Sequence, residues 1–395
     1  MIKRSEGLVI GHDYLIQMGG AERVVASMAR KWSGNPIYTS AAKWDTLLPE
    51  FREADIRTSW MQRLPGINRH FKKFFAFYPG AFRSFGVIDA PAAWVSASTF
   101  AKCLRFTPST ATVLYCHNPT RFLWQAEDYV DVEVRNRSLS GLVQMASPLL
   151  RSMDREAARK FDVIVANSQN VRRRIAKCYQ RDAEVVYPPV SVDRFEVSRK
   201  DDGYYLVVSR LVAYKSIQRA VEACSTLGKR LVIVGEGPDR ERLQRMAGPT
   251  VEFRGHVADE EVRDLMHRCT ALIFPGQEDF GITPVEAQAC GKPVLAFKGG
   301  GALETVIEGE TGRFFDQVNT SLTDAIRASE ATIWNPERIR SNAEGFGEAT
   351  FHDRMGEIIS RAMGAKQEQM MVARHASKSY SPWTWLAAGR PFARR

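Results

Sequence analysis

The stretch that decides the fold is Phe274-Pro-Gly-Gln-Glu278-Asp-Phe-Gly281-Ile-Thr283-Pro284-Val-Glu286-Ala-Gln. The apolar run Ala271-Leu-Ile-Phe274 at its start predicts a short buried strand. Thr283 suits a helix N-cap, Pro284 suits the first helical position, and Glu286 follows three residues after the cap, so a helix is predicted to start here. A strand that turns sharply into a helix leaves free backbone N–H groups facing a cleft, and such a helix end attracts phosphate.

Two carboxylates border this predicted phosphate site, Glu278 before the glycine turn and Glu286 in the first helical turn. A carboxylate gains nothing from a phosphate by charge attraction, but it accepts hydrogen bonds from sugar hydroxyls. A phosphate flanked by hydroxyls describes a nucleotide sugar. A structural alternative stays open for Glu286, because Thr283-Pro-Val-Glu286 is also a good capping box, which needs no ligand. Glu278 has no comparable role in folding, since it precedes a glycine turn.

Composition is that of a soluble globular protein long enough for two ordinary domains. The chain has 395 residues, of which 44% are hydrophobic and 25% are charged. The cysteines are scattered and form no Cys-x-x-Cys pair, which fits a reducing cytosol and argues against a disulfide framework or a zinc site. The six cysteines are Cys103, Cys116, Cys178, Cys224, Cys269 and Cys290.

Charge and hydropathy restrict the expected location and partners. Met1-Ile-Lys-Arg-Ser-Glu-Gly leads into a strand-like run, so a signal peptide is not expected. No stretch approaches the roughly 18 apolar residues of a membrane span, so we expect a cytoplasmic protein. The formal net charge of +10 fits nucleotide phosphates, lipid pyrophosphates, acidic membrane surfaces or nucleic acid. No nucleic-acid-binding motif accompanies the charge, so nucleic acid is not an expected partner.

Short apolar runs alternate with helical patterns along the chain, which predicts an α/β fold with two doubly wound parallel sheets. Tyr187-Pro-Pro-Val ends one strand, and Lys200-Asp-Asp-Gly203 forms a polar turn before the next. We therefore predict a first domain over 1–190, a second over 191–370 and a C-terminal segment over 371–395, with the ligand cleft between the domains. The predicted strands are Leu8–Ile10, Ala93–Val95, Thr112–Tyr115, Asp162–Ala166, Tyr204–Val208, Arg230–Val234, Val251–Phe253, Ala271–Phe274 and Pro293–Phe297.

Two cations follow the predicted strand Tyr204–Val208, namely Arg210 and Lys215. Ligands of parallel sheets bind beyond the carboxyl ends of the strands. Both side chains could reach one diphosphate there, arginine as a fork and lysine as a point charge. Either residue alone is more often a surface charge, but their common position favours ligand binding.

The whole set of motifs resembles retaining glycosyltransferase family 4, whose members have the GT-B fold. Glu278-Asp-Phe-Gly-Ile-Thr-Pro-Val-Glu286-Ala is similar to the family signature, in which seven residues separate two glutamates. The resemblance covers about residues 8 to 360. The motif residues resemble those of the bacterial branch that includes GDP-mannose-dependent mannosyltransferases of surface polysaccharide assembly. The other matching motifs are Gly19-Gly-Ala-Glu-Arg23, Tyr115-Cys-His117-Asn-Pro, Ala166-Asn-Ser168, Ser209-Arg210-Leu-Val-Ala-Tyr-Lys215, Gly235-Glu-Gly237-Pro and Gly291-Lys-Pro-Val.

The resemblance implies two Rossmann-like domains, the first binding an acceptor and the second a nucleotide sugar. It also implies a C-terminal helix that can cross back to the first domain. The implied catalytic residues are Glu278, His117, Arg210 and Lys215, with His117 contacting the transferred sugar. Because the chain has no Asp-x-Asp motif and offers two cations and a helix end for the phosphates, no metal or other cofactor is expected. Ser216 departs from the family pattern, which usually has another basic residue there.

The remaining family matches divide into a donor side and an acceptor side. On the donor side, the glycine loop Gly19-Gly20 closes over the phosphates, and the backbone near His256 hydrogen-bonds the base. On the acceptor side, the candidates are loop residues at strand ends. The implied donor-binding residues are Gly19, Gly20, Gly235, Gly237, His256, Val257, Phe280, Gly281, Ile282, Thr283 and Glu286. The acceptor-side candidates are Asp13, Arg121, Asn167 and Ser168.

The segment Arg69-His-Phe71-Lys72-Lys73-Phe74-Phe75-Ala-Phe-Tyr78 has an aromatic face and a basic face at helical spacing. That pattern is typical of a helix lying on an anionic membrane. The same stripe could pack into the core of the first domain, which is the slightly favoured alternative. A membrane contact would suit a lipid-linked acceptor and peripheral attachment to the inner face of the cytoplasmic membrane.

These observations lead to one main hypothesis, a retaining hexosyltransferase that uses GDP-mannose and a lipid-linked oligosaccharide. A second hypothesis is the same fold with a UDP-sugar or another donor. A third is a non-enzymatic subunit that binds a membrane or a partner, against which the intact Glu278, Arg210 and Lys215 argue.

Overall fold

The structure is a computed structural model that describes residues 2–4, 7–124, 137–316 and 318–379. It is an α/β protein with two domains built on parallel sheets, so the predicted fold class is confirmed. The strands are β1 Ile2–Arg4, β2 Leu8–His12, β3 Ile37–Thr39, β4 Ile56–Thr58, β5 Val87–Asp89, β6 Ala92–Ala97, β7 Arg105–Phe106, β8 Ala111–Cys116, β9 Val163–Ala166, β10 Glu184–Val185, β11 Tyr204–Val208, β12 Arg230–Val234, β13 Val251–Gly255, β14 Ala271–Phe274, β15 Val294–Phe297 and β16 Gly312–Phe315.

Helices connect these strands and cover the faces of the sheets. They are α1 Gly20–Lys31, α2 Ile67–His70, α3 Tyr78–Arg83, α4 Arg121–Trp124, α5 Arg137–Arg159, α6 Gln169–Tyr179, α7 Gln218–Leu227, α8 Arg240–Met246, α9 Asp259–Arg268, α10 Ile282–Ala289, α11 Ala302–Thr305, α12 Leu322–Glu330, α13 Pro336–Glu344 and α14 Glu348–Ser379.

The strand order places one ligand-binding edge in each domain. Within the described ranges, the first domain has a seven-stranded sheet in the order β10-β9-β8-β6-β2-β3-β4 and a small sheet β1-β5-β7. The second domain has a six-stranded sheet in the order β13-β12-β11-β14-β15-β16. The strand order reverses beside β2 in the first domain and beside β11 in the second. Such switch points leave a crevice at the carboxyl ends of the strands, where ligands bind.

Apolar side chains from both faces of each sheet form the two cores. Trp94 and Tyr115 are fully buried on one face of the first sheet, and Leu206 and Ile273 lie in the second sheet. The six cysteines are likewise buried and unpaired.

The C-terminal helix α14 joins the two domains. It begins at Glu348, after the helices of the second domain, and places Phe351, Met355 and Ile358 in the core of the first domain. The return to the first domain therefore starts at Glu348, well before the predicted segment 371–395. Residues 380–395, with Trp383 and Trp385, lie outside the described residues.

The aromatic segment 69–78 is not the single helix that its spacing predicts. Helix α2 ends at His70, a 3-10 turn covers Phe71–Phe77, and α3 begins at Tyr78. Phe71 and Phe74 pack against the first-domain core, whereas Phe77 is 52% exposed and contacts the half-exposed Trp60 edge to face. The segment thus divides its aromatic side chains between core and surface. Within the described part of the chain, no helix is both long and apolar enough to span a bilayer.

Candidate active site

A cleft of about 1230 Å³ lies between the carboxyl ends of the two large sheets. Both domains contribute to its walls, the first through the loop after β2 and the second through the loops after β11, β12, β13 and β14. The structure therefore brings together most of the predicted site. The predicted residues that line the cleft are Asp13, Gly19, Gly20, Arg121, Arg210, Lys215, Gly235, His256, Val257, Glu278, Ile282, Thr283 and Glu286.

The start of α10 differs from the predicted capping box. The helix begins at Ile282, and its N-cap is Gly281, which has no side chain to cap it. Gly281 adopts φ 90°, and a Cβ there would lie 2.8 Å from the Phe274 ring, so glycine is what allows the chain to turn this early. Thr283 and Pro284 therefore lie inside the first turn. The capping-box alternative for Glu286 is therefore excluded, and this carboxylate lines the cleft.

Glu286 is partly buried in the cleft wall. Burial raises the pKa of Glu286 above its ordinary value, although the nearby Arg23 guanidinium acts in the opposite direction. A carboxylate in this setting gains from hydrogen-bond donors such as hydroxyl groups.

Glu278 and Lys215 form an ion pair in the second-domain wall of the cleft. Lys215 ends a 3-10 turn over Ala213–Lys215, and α7 begins at Gln218. Ser216 between them has φ 53°, in the left-handed region. Arg210 lines the same wall and is exposed to it. Two cations, a carboxylate and the N-terminus of α10 therefore converge on one part of the cleft.

The glycine loop of the first domain lies opposite this cluster. Helix α1 begins at Gly20, and the Gly19 N–H donates to Glu22 Oε2 at 2.8 Å. A Cβ on Gly20 would lie 3.2 Å from Cδ1 of Ile282 in the second domain, so the absence of a side chain lets the domains approach. Sequence reasoning missed Glu22, although glutamate in the first turn after a glycine pair is a recognisable capping signal.

The glycine turn after β12 is tightly packed against the loop after β11. A Cβ on Gly235 would lie 1.9 Å from the Ser209 carbonyl oxygen, and one on Gly237 would lie 2.1 Å from that of Leu211. Gly237 therefore supports the wall from behind, whereas Gly235 lines the cleft. Phe280 was expected to contact the donor, but it is buried and stacks on Tyr187 with ring centroids 5.6 Å apart. Its role is to anchor the loop in the core.

His117 belongs to a hydrogen-bonded chain beneath the first-domain wall. Its Nε2 lies 2.7 Å from Ser96 Oγ, which is 3.1 Å from Nδ1 of His12. His12 Nδ1 also lies 3.2 Å from the Ser96 carbonyl oxygen, which can only accept, so this nitrogen carries a proton. The Ser96 hydroxyl is then free to donate to His117. Burial lowers the pKa of His117 to about 3, with the neighbouring His12 acting in the same direction, so His117 stays neutral.

The Asp13 carboxylate is occupied by the loop after β6. Its Oδ2 accepts hydrogen bonds from the backbone N–H groups of Ser98 at 2.6 Å and Thr99 at 2.8 Å, and its Oδ1 accepts one from Ala101 at 2.8 Å. Asp13 borders the cleft, but its charged oxygens are turned into the protein. This side chain shapes the wall and has little capacity left for an acceptor.

Asn167 and Ser168 lie away from the cleft, contrary to expectation. Ser168 is fully buried and caps α6 by accepting from the Val171 N–H at 3.1 Å. The remaining N–H groups of this helix end are bound by Glu304 of the second domain, at 2.7 Å from Gln169 N and 3.1 Å from Asn170 N. The end of α6 that follows these two candidates therefore forms a contact between the domains.

Ion pairs across the cleft link the predicted site to residues that sequence reasoning missed. Arg121 pairs with Asp279, which directly follows Glu278. Arg23 of α1 pairs with Asp259 of α9 at 3.0 Å. Both missed acids stand beside predicted site residues, but a pairing over more than 150 positions leaves no local signal in a sequence.

The predicted independence from metal concerns the donor phosphates. Among the described residues, no group of three or more His, Cys, Asp or Glu side chains is arranged to hold a metal ion. That the reaction needs no added metal stays a prediction.

Comparison with protein families defines the class to which this fold and cleft belong. Residues 18–194 match the family described as Glycosyltransferase Family 4, and residues 191–345 match Glycosyl transferases group 1. The chain is therefore a glycosyltransferase with the GT-B fold. It belongs to glycosyltransferase family 4, as the motif order predicts.

Curated relatives include mannosyltransferases. A GDP-mannose-dependent alpha-(1-6)-phosphatidylinositol monomannoside mannosyltransferase of Mycolicibacterium smegmatis is 29% identical over 265 residues, 58% of this chain and 67% of that protein. The alpha-1,3/1,6-mannosyltransferase ALG2 of Kluyveromyces lactis is 25% identical over 285 residues, 58% of this chain and 53% of that protein. The similarity thus spans from about half to two thirds of these relatives.

Solved structures share the fold at low identity. Anabaena HepE in complex with UDP-glucose has a TM-score of 0.65 and 18% identity, covering 90% of this chain and 99% of that one. AviGT4, a glycosyltransferase involved in avilamycin A biosynthesis, has a TM-score of 0.57 and 16% identity, covering 90% and 98%. These similarities support the GT-B architecture.

Proposed function

We propose that this glycosyltransferase is a retaining mannosyltransferase that transfers mannose from GDP-mannose to a lipid-linked saccharide in polysaccharide synthesis. The observation that carries the proposal is the Lys215–Glu278 pair beside the α10 N-terminus, opposite the Gly19-Gly20 loop. Cations and a helix end suit a diphosphate, and the carboxylates suit hydroxyl groups. The mannosyltransferase names of the curated relatives support the choice of sugar.

The charges of the cleft suit cleavage of a sugar–phosphate bond. The bond from the anomeric carbon to the phosphate oxygen breaks, leaving an oxocarbenium-like sugar and a nucleoside diphosphate. Arg210, Lys215 and the N–H groups of Ile282 and Thr283 stabilise the negative charge that grows on the leaving group. The acceptor oxygen then bonds to the anomeric carbon on the face that the phosphate leaves, and its proton passes to a phosphate oxygen.

The carboxylates and the histidine have orienting roles in this proposal. Glu278 accepts hydrogen bonds from sugar hydroxyls, and release of Lys215 to the diphosphate frees its oxygens. Glu286 binds the ribose. His117 is neutral, so it contacts the sugar as a hydrogen-bonding group without adding positive charge beside the oxocarbenium.

The acceptor side is proposed to face a membrane. Trp60 and Phe77 form an exposed aromatic pair. Arg63 and Arg69, which lie between them in the chain, are also exposed. Aromatic rings with neighbouring cations suit the interface of an anionic bilayer. We infer peripheral attachment at the cytoplasmic face of the membrane, where a lipid-linked acceptor is found.

Replacement of Glu278 tests the proposed chemistry. Glu278→Ala removes the hydroxyl acceptor, and we expect the transfer rate from GDP-mannose to fall by about 10²–10³-fold while GDP still binds. The rate is measured with a lipid-linked acceptor, and the product anomer is assigned by NMR. Glu236→Ala, a cleft carboxylate of the β12 turn, is the matched control and is expected to keep most activity. Full activity in Glu278→Ala would contradict the assigned role.

A second candidate is the same transfer with a UDP-sugar, which the UDP-glucose complex of HepE favours. Thermal shift with GDP, UDP, ADP and their sugars separates the two, because a ligand that binds the folded state raises its apparent stability. Stabilisation by UDP-glucose without stabilisation by GDP-mannose would replace the first candidate with the second.

A further inference from the structure

Asp279 is a buried acid that the proposed chemistry does not use. It directly follows Glu278, and only 12% of its side chain is exposed. Among the described residues, its three side-chain partners all lie in the first domain. Asn118 Nδ2 donates to Oδ2 at 2.7 Å, Arg121 donates to the same oxygen, and Arg174 donates to Oδ1.

The charge balance makes this contact strong. Burial by itself would raise the pKa of Asp279, but the guanidinium groups of Arg121 and Arg174 outweigh burial and hold the pKa below its ordinary value. The carboxylate is therefore ionised at neutral pH. An ionised carboxylate with charged donors on both oxygens forms hydrogen bonds about twice as strong as neutral ones.

Asn118 shows that the contact has a specific geometry. Its Nδ2 must face Asp279, since an ionised carboxylate can only accept. Its Oδ1 is buried and has no hydrogen-bond partner among the described residues. Among the described residues, the hydrogen bond to Asp279 is therefore the one that orients the Asn118 side chain. Asn118 directly follows His117 in the chain.

Both ends of the contact are held by rigid backbone. On the second-domain side, the Gly301 N–H donates to the Glu278 carbonyl oxygen at 2.9 Å, and a Cβ on Gly300 would lie 2.1 Å from that oxygen. On the first-domain side, the His117 N–H donates to the Ala97 carbonyl oxygen at 3.0 Å. A shift at the Asp279–Asn118 contact would therefore move Glu278 relative to His117.

We propose that Asp279 is a positioning residue that fixes the spacing between Glu278 of the second domain and His117 of the first when the domains close. The inference rests on the proposed function, in which both residues contact the transferred sugar. Asp279 thereby holds the two halves of the sugar site at one distance. A misplacement of about 1 Å can cost about 10²-fold in rate.

The key variant is Asp279→Glu, which keeps the charge but adds one methylene group. Ion pairing with Arg121 and Arg174 is retained, so the thermal midpoint and the affinity for GDP are expected to stay near those of the unaltered protein. The longer side chain changes the spacing, so kcat with GDP-mannose is expected to fall about 10²-fold with little change in KM. An Asp279→Glu variant with unaltered kcat would overturn the proposal.

Glu304→Gln is the matched control, because it weakens another contact between the domains, the one at the α6 N-terminus. It is expected to keep kcat, and an equal loss there would show that any weakened domain contact has the same effect. Asn118→Ala provides a second variant that leaves both ion pairs in place. It is expected to lower kcat in the same way as Asp279→Glu, and retention of kcat in a folded Asn118→Ala would count against the proposal.

A distance measurement separates failure of this inference from failure of the proposed function. Spin labels are attached at Ser33→Cys in the first domain and Ile333→Cys in the second, both exposed sites, while the native cysteines are buried. With GDP bound, one narrow distance distribution is expected, displaced in Asp279→Glu and broadened in Asp279→Asn. Identical distributions in all three proteins would overturn the inference even if no sugar donor were turned over.

Discussion

At the scale of single residues, the neighbours of a buried side chain decide whether it carries charge. His117 is buried beside His12 and stays neutral, whereas Asp279 is buried between two arginines and stays ionised. The same desolvation acts on both groups, so the different outcomes come from their neighbours.

The neutral His117 predicts a loss of stability in mild acid. Its pKa is about 3 in the folded protein and near the ordinary 6.5 when unfolded, so below pH 6.5 only the unfolded state gains a proton there. The free energy of unfolding is expected to fall by about 2 kcal/mol between pH 7 and pH 5 from this group alone. Urea unfolding at both pH values measures the change.

The control for this effect is His117→Gln, which cannot titrate. Burial also lowers the pKa of His267 and His352, so a part of the pH dependence remains in the variant. The variant should lose less stability than the unaltered protein over the same pH range. Equal pH dependence of the two proteins would show that folding does not lower the pKa of His117.

At the scale of elements, the cleft is built by strands that end in glycine turns. Gly281 lets α10 start directly after its turn, and Gly235 lets β12 leave its sheet beside the Ser209 carbonyl. Each turn brings backbone N–H groups or a carboxylate to the cleft wall. Neighbouring atoms fill the space that a side chain would need, the Phe274 ring at Gly281 and the Ser209 carbonyl at Gly235.

Alanine substitutions at two glycines separate backbone strain from lack of space. Gly235 and Gly228 both have positive φ, but a Cβ on Gly235 would lie 1.9 Å from a carbonyl oxygen, whereas one on Gly228 would have no atom within 4 Å. Gly228→Ala is expected to cost about 1 kcal/mol of stability, from backbone strain alone. Gly235→Ala should cost about 2–3 kcal/mol more, and should also weaken GDP binding.

Chemical denaturation and calorimetry with GDP give both quantities for the two variants. Equal destabilisation by the two substitutions would mean that the turn after β12 has room to relax.

At the scale of the whole molecule, the two domains are tied by one helix and a few charged contacts. Helix α14 belongs to the second domain by its position in the chain and to the first by its packing. Asp279 and Glu304 of the second domain bind first-domain groups, Asp279 beside Glu278 and Glu304 at the α6 N-terminus, away from the cleft. The helix packs the two domains together, and the Asp279 contact is the one that we propose sets their spacing at the cleft.

Removal of one α14 side chain should therefore destabilise the first domain. Phe351 is 2% exposed and packs edge to face on Tyr115 with centroids 5.7 Å apart. Phe351→Ala is expected to cost about 3–5 kcal/mol. Unfolding is followed by fluorescence, since the buried Trp94 lies 5.8 Å from Tyr115.

Met371→Ala on the same helix is the comparison, because Met371 is 60% exposed and should change stability by less than about 0.5 kcal/mol. If the two substitutions had the same small effect, the contact between α14 and the first sheet would not contribute to stability.

The sequence by itself determined nine of the strands and the α/β class. Apolar runs are local signals, so the predicted strands correspond to β2, β6, β8, β9, β11, β12, β13, β14 and β15. The spacing of Glu278 and Glu286, and of Arg210 and Lys215, is local as well, because each pair flanks a single strand-to-helix turn.

Only the tertiary structure decided which side chains face the cleft and which hold the protein together. Asp13, Ser168 and Phe280 stand in site motifs, yet they bind backbone, cap a helix and fill the core. Asp279 meets Asn118 across 161 positions of the chain. Folding brings such partners together through the packing of whole sheets, and no local pattern of residues encodes that distance.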